Sequence, residues 1–382
     1  MKINLLKQRL LAVVSLLVIT FSVQSQDIHF SQYYASPLTL NPALTGKFNG
    51  EYRIGGIYRS QWAPAGSPLF MTPSLHVDFS LFKGKLKKDA VGVGLMFFTD
   101  RQNKATLVTT QIMLSLAYHK GLGRNNGTQI SLGFQGGYVM KRLNAQNLTF
   151  ADGYTIGGIT PGYNYTTSAE LAALKPGVNY VNMNAGLFVN SRVRKNIVIY
   201  GGYSLNNLGT PTERFSSNGI NNVDIAMRHV IHVGAEWDAA ERFVVIPGVL
   251  FQTQAQSQEI NFGVTAGYHV RLDPEANGRD HTTLFVGLWN RMTPNYVSGN
   301  KSKYGEESII PKLGFEIKRI RFGAALDIPL SKISLTKDGE VSGTGLAASY
   351  KGNRPLSFEI SLVYIGRTSS PKEDLYLFNP RF

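Results

Sequence analysis

Residues 74–82 read SLHVDFSLF. In an extended chain successive side chains point to opposite sides, so Leu75, Val77, Phe79 and Leu81 share one face while Ser74, His76, Asp78 and Ser80 share the other. The run has about the length a tilted strand needs to cross a bilayer. The pattern recurs along the chain. In QISLGFQGGYVMK (129–141), Ile130, Leu132, Phe134, Tyr138 and Met140 oppose Gln129, Ser131, Gln135 and Lys141. In YVNMNAGLFVN (180–190), Val181, Met183, Ala185, Leu187 and Val189 oppose Asn182, Asn184 and Asn190. INFGVTAGYHVRL (260–272) sets Ile260, Phe262, Val264, Tyr268, Val270 and Leu272 against Asn261, Thr265, His269 and Arg271.

A soluble sandwich alternates too, but three features favour a membrane barrel. The polar faces stay polar over whole segments, as a hydrated or plugged lumen allows. The segments outrun the five or six residues usual for soluble strands. Aromatics (Tyr52, Tyr58, Trp62, Tyr118, Trp237, Tyr268, Tyr350, Tyr364) gather near segment ends, where interfacial girdles sit. The expected fold is therefore all-β: a transmembrane, antiparallel, up-and-down β-barrel of about 14 strands. These fall near 51–61, 73–82, 90–99, 106–120, 128–142, 179–190, 196–206, 228–238, 242–253, 258–272, 281–291, 308–318, 320–331 and 356–366. Short gaps such as KGKLKKD (83–89) and RVRKN (192–196) alternate with long ones at 143–178, 207–227, 292–307 and 332–355. Short periplasmic turns and long outer loops give such alternation. SGTGLAASY (342–350) reads as a further hairpin segment above the membrane.

The first 25 residues, MKINLLKQRLLAVVSLLVITFSVQS, carry three cations ahead of an apolar run and are read as a cleavable secretory signal peptide. Residues 26–50 form a docking or plug segment, 51–366 the barrel and 367–382 a periplasmic tail. The net charge falls from +14 to +11 once Lys2, Lys7 and Arg9 are removed. That surplus suits anionic outer-membrane lipid or an acidic partner; export argues against nucleic acid. Without cysteine the chain has neither disulfides nor thiolate metal ligands.

Little in the chain points to catalysis. His76 and Asp78 share a face and are the one pair a hydrolase could use, yet a hydrated lumen tolerates both. His229 and His232, three apart on a strand, face opposite ways and cannot share a metal. No Walker loop, zincin helix or Gly-x-Ser-x-Gly elbow occurs. The expectation is no catalytic residue, no metal and no cofactor.

DIHFSQYYASPLTLNPALTG (27–46) fits none of the barrel's parts. Proline at 37 and 42 forces Ser36 and Asn41 toward extended conformations. The exposed aromatics would be sticky, so the segment is expected to dock, either into the barrel mouth or onto a partner. Its candidate docking residues are Phe30, Ser31, Gln32, Tyr33, Tyr34, Pro37, Asn41, Pro42 and Gly46.

That stretch, YRSQW (58–62), VGVGLMFFTD (91–100) after a lysine-bearing turn, ALDIPLSKIS (325–334), FEISLVYIG (358–366) and the terminal NPRF (Asn379, Pro380, Arg381, Phe382) resemble the PorP/SprF family of type IX secretion membrane proteins of Bacteroidota. The resemblance spans the mature chain; the segment at 337–352 is longer than the family leads one to expect. It implies a non-enzymatic outer-membrane barrel that works with type IX envelope components and supports export and surface attachment of a large secreted adhesin or gliding-related client. A passive or hydrophobic-solute outer-membrane channel shares the expected fold and is the alternative.

Overall fold

The computed structural model describes residues 27–63, 70–86, 88–102, 106–122, 127–144, 154–155, 162–163, 174–215, 223–271, 282–297, 300–330, 356–367, 378 and 380–381. The signal-peptide segment, most of the 144–178 connection, residues 342–350, Asn379 and Phe382 lie outside the described residues.

Fourteen strands close into one barrel. They are β1 (Tyr52–Ala63), β2 (Phe70–Leu86), β3 (Asp89–Gln102), β4 (Leu107–Leu122), β5 (Thr128–Leu143), β6 (Gly177–Arg194) and β7 (Ile197–Asn206). The second half comprises β8 (Arg228–Ala240), β9 (Phe243–Gln254), β10 (Ser257–Arg271), β11 (Thr282–Val297), β12 (Asn300–Ile317), β13 (Ile320–Pro329) and β14 (Leu356–Gly366). Each strand pairs antiparallel with its chain neighbours, and β1 closes onto β14 with Tyr52 opposite Gly366 and Ser60 opposite Phe358. Closure leaves no unpaired edge, the condition for placing backbone polar groups in lipid.

The period of two sorts the wall as the sequence predicts. Leu75, Leu114, Leu132, Val181, Val286 and Leu313 point outward and are exposed; Ser74, His76, Asp78, Ser115, Gln135, Asn184 and Lys312 point inward and are buried. A belt of apolar side chains outside and buried polar ones inside is the inverse of a water-soluble protein, and it is what lipid demands. Tyr118, Trp237, Tyr268 and Tyr364 stand on the outer face, at the end of their strands where the chain enters and leaves the barrel. That end is termed here the near mouth.

One expectation fails. Residues 292–297 and 300–307 are not a loop: β11 and β12 run on as a paired ladder, with Met292 opposite Glu306 and Val297 opposite Asn300. The apolar alternation stops there while the ladder does not, because a ladder beyond the bilayer needs only backbone partners. β9 and β10 also join by a tight turn at the far mouth, Gln254 opposite Ser257. The short and long connections therefore alternate less regularly than the gaps suggest.

Candidate functional site: the plug in the lumen

Residues 27–50 fill the lumen. The segment starts near the far mouth, where the Asp27 amide donates to Gln254 Oε1 (2.9 Å) and its carboxylate accepts from Asn207 Nδ2 (2.6 Å), and it descends to Glu51, whose amide donates to the Gly366 carbonyl at the near mouth. Prolines dictate its shape. Pro37 opens a single helical turn, Pro37–Leu40, and Pro42 opens a 3-10 turn, Pro42–Leu44, with Asn41 held extended between them (φ −158°, ψ 119°). Asn41 caps the second turn by accepting from the Ala43 amide (2.9 Å) and reaches the wall by donating to the Leu187 carbonyl (3.0 Å).

The upper part of the plug is held by buried charge. Glu359 accepts from the backbone amides of Ser31 (2.7 Å) and Gln32 (2.8 Å). Gln32 also donates to the Glu359 carbonyl (3.2 Å) and accepts from Ser361 (2.9 Å). The Ser31 hydroxyl donates to Asp327 (2.9 Å) and accepts from Arg291 (2.5 Å), and Lys312 donates to the Ser31 carbonyl (2.7 Å). The wall charges pair among themselves: Arg291 with Asp327 (2.8 Å), Arg59 with Glu359 (3.1 Å). Charges this buried are tolerated only when paired and hydrogen-bonded, and the plug backbone supplies several of the bonds.

Below this lies an aromatic layer. Phe30 is buried. Tyr33 meets Trp289 edge-on (5.7 Å between centroids), while Tyr34 meets Tyr200 (5.8 Å) and hydrogen-bonds His232 Nδ1 (3.1 Å). Burial holds both phenols well above the ordinary tyrosine range, so they stay neutral. Leu38, just past Pro37, packs against Met96, Phe98 and Met113.

The lower part is held by close approach. Gly46 has φ +70°, which favours glycine, and its amide donates to Asp78 (2.7 Å). Across from it Gly92 has no side chain to spare: a Cβ there would sit 1.9 Å from the Thr45 carbonyl oxygen. Gly133 beneath Pro42 and Ala43, and Gly186 beneath Asn41, admit the plug backbone in the same way. Thr45 bonds Ser115 (2.6 Å) through its hydroxyl and His119 Nε2 (2.8 Å) through its carbonyl. Lys47, fully buried, donates to Gln129 (2.9 Å); burial lowers its pKa to about 7.

Asp78 is engaged structurally. It takes Arg53 through both carboxylate oxygens (2.9 and 2.6 Å) as well as the Gly46 amide. His76 faces the same lumen, but neither ring nitrogen has a hydrogen-bond partner among the described residues, so the pair a hydrolase would use is not assembled. His229 and His232 do lie on opposite faces, and no metal-holding group of His, Asp or Glu occurs among the described residues.

The terminal motif enters from the near mouth. Phe378 is buried against Tyr200 (5.0 Å between centroids) in the same aromatic cluster as Tyr33 and Tyr34. Pro380 is buried, and Arg381 pairs with Glu236 and lies 3.8 Å from Glu316. At the opposite end, above the plug, a cup of about 110 Å³ is lined by amides such as Gln111, Gln135, Asn182 and Asn206, with Met96 and Phe98.

Sequence reasoning missed the partners of the plug: Arg53, Arg59, Arg291, Glu359 and Glu259, the last lying 3.0 Å from His29 Nε2. Each sits on the inward parity of its own strand, as Glu359 does with Ser361 in FEISLVYIG, so the direction was visible although the partner was not.

An alternating wall, apolar outside, around a polar lumen filled by the chain's own N-terminal segment defines a plugged β-barrel of the outer-membrane type. The family model of the type IX secretion system membrane protein PorP/SprF matches residues 22–342, and the chain belongs to that family. The match takes in the plug and β1 to β13. No curated protein matches the chain. Among solved structures, the toluene transporter TodX of Pseudomonas putida aligns with 12% identity and a TM-score of 0.46, covering 89% of this chain and 98% of its own. The toluene transporter TbuX of Ralstonia pickettii aligns with 10% identity and a TM-score of 0.45 (88% and 94%). A Pseudomonas aeruginosa FadL homologue aligns with 11% identity and a TM-score of 0.44 (87% and 94%).

Proposed function

We propose that this protein is a non-enzymatic, plugged barrel of the cell outer membrane that works within the type IX secretion machinery to support export and surface attachment of a large secreted adhesin or gliding-related client. Its leader is removed on export, its near mouth faces the periplasm and its far mouth faces the cell exterior. The observation that carries the reading is the docked plug. A barrel whose lumen is crossed by its own chain, bonded to the wall at both ends, is built to hold position rather than to pass solute, and the family supplies the machinery it serves. A hydrophobic-solute path would need an apolar lining, whereas the inward side chains here include Arg53, Asp78, Lys312 and Glu359.

The test is crosslinking and pull-down from native outer membranes. Recovery of type IX components with a large surface protein is expected; recovery of neither, together with measurable solute conductance in planar bilayers, would replace the export reading with the channel. Deleting 30–46 should leave a heat-modifiable barrel, because no ladder strand is lost, and should stop display of the client.

A further inference from the structure

The terminal motif's pocket is separate from the plug's charged and glycine contacts. It is lined by Tyr200 above, in contact with Phe378, and by Glu236 and Glu316 at the rim, which take Arg381. Glu316 also binds Arg321 (3.2 Å), so the rim is an acid pair with one resident cation and room for another. The occupant is not part of the barrel: the ladder ends with Gly366 opposite Tyr52, and Phe378, Pro380 and Arg381 belong to no strand. Its contacts described above are side-chain contacts, an aromatic ring and a guanidinium three residues apart. A recognition element of that kind can be matched by any peptide presenting the same two groups.

We propose that this near-mouth pocket is an exchangeable peptide-binding site, with the chain's own Phe378–Arg381 as resident ligand, whose partner is a periplasmic polypeptide segment carrying an aromatic residue followed three positions later by arginine. The choice of partner follows from the charge of Glu236 and Glu316 and the aromatic floor at Tyr200. Its periplasmic exposure rests on the orientation proposed above; the pocket chemistry does not. Covalent attachment to the barrel gives the resident tail a local concentration on the order of millimolar, so a partner must either bind much more tightly or arrive multivalently. The contact thereby keeps the site closed to weak ligands.

The probe is a fluorescent peptide of residues 374–382, DLYLFNPRF, added to full-length protein in detergent. A variant with the tail weakened, Phe378→Ala with Arg381→Glu, should bind it at least tenfold more tightly than the unmodified protein, and adding Glu236→Lys should abolish that binding. Equal binding to both proteins, no binding to a heat-modifiable tail-weakened barrel, or indifference to Glu236→Lys would overturn the proposal. A measurement on a chain with an intact Phe378 and Arg381 stands beside it. Because the protein lacks cysteine, Pro380→Cys gives a single thiol, whose maleimide labelling should accelerate several-fold with excess free peptide. An unchanged rate would overturn exchange, and concentration-dependent dimers that protect the thiol would assign the pocket to a second copy instead. None of these readouts involves secretion, so their failure leaves the export reading standing.

Discussion

Around Ser31 the plug meets Asp327, Glu359, Arg59, Arg291 and Lys312, all buried; around Thr45 it meets bare backbone at Gly92, with Gly133 and Gly186 close by under residues 41–43. The first contact is specific through charge: each ion needs its partners, and the plug supplies amides and a hydroxyl at 2.5–2.9 Å. The second adds shape to its bonds with Asp78, Ser115 and His119, since only a side-chain-free wall lets the chain approach so closely. Charges can be exchanged in pairs, whereas a missing volume can only be filled. The two ends should therefore fail differently.

The largest effect is expected at the charged end. Arg291→Ala leaves Asp327 buried without its nearest cation, a loss of roughly 3–5 kcal/mol. Limited proteolysis should then cut within 27–35 while the barrel remains heat-modifiable. The comparison sharpens if the paired change Arg291→Met with Asp327→Asn recovers much of the protection, as removal of both charges can be nearly neutral. Protection that stays lost would break it. At the glycine end, Gly92→Val overpacks against the Thr45 carbonyl and should cost about 1–3 kcal/mol or more. Protease sensitivity should appear at 41–47, with no second wall substitution of opposite charge restoring it.

Smaller again is Asn41→Ala. It removes the cap on Pro42–Leu44 and the donor to the Leu187 carbonyl, at about 1–2 kcal/mol. Hydrogen exchange at Ala43 and Leu44 should rise more than at Ser31 and Gln32; equal rises would mean the two ends undock together.

The smallest effect over a narrow range is that of pH. Burial lowers Lys47 to about 7 when docked, against about 10.5 when free, so the undocked segment binds more protons between those values. Docking should strengthen as pH rises through that window, by at most about tenfold per unit, and level off at its weakest below about pH 7, where both states carry the proton. Lys47→Met should flatten the dependence measured by protease protection between pH 7.5 and 8.5. A flat profile in the unmodified protein would show that the Gln129 contact and the Phe188 ring keep the ammonium charged.

The chain's alternation alone determined the fold class, the fourteen strands and the facing of nearly every wall residue. Side-chain parity is a local property of extended backbone, and lipid outside with polar groups inside forces every strand to obey it. The prolines at 37 and 42 likewise marked a segment that could not join the ladder. The tertiary structure alone decided where that segment goes, which inward charge answers which, and that Phe378 and Tyr34 both pack on Tyr200. Ser31 and Glu359 are separated by 328 residues, and their contact depends on the register of every strand between them. The stretches 292–297 and 300–307 differ from the sequence expectation for the converse reason: past the bilayer the hydrogen-bonded ladder continues with no demand on side-chain polarity, so the strand persists where its sequence signal has ended.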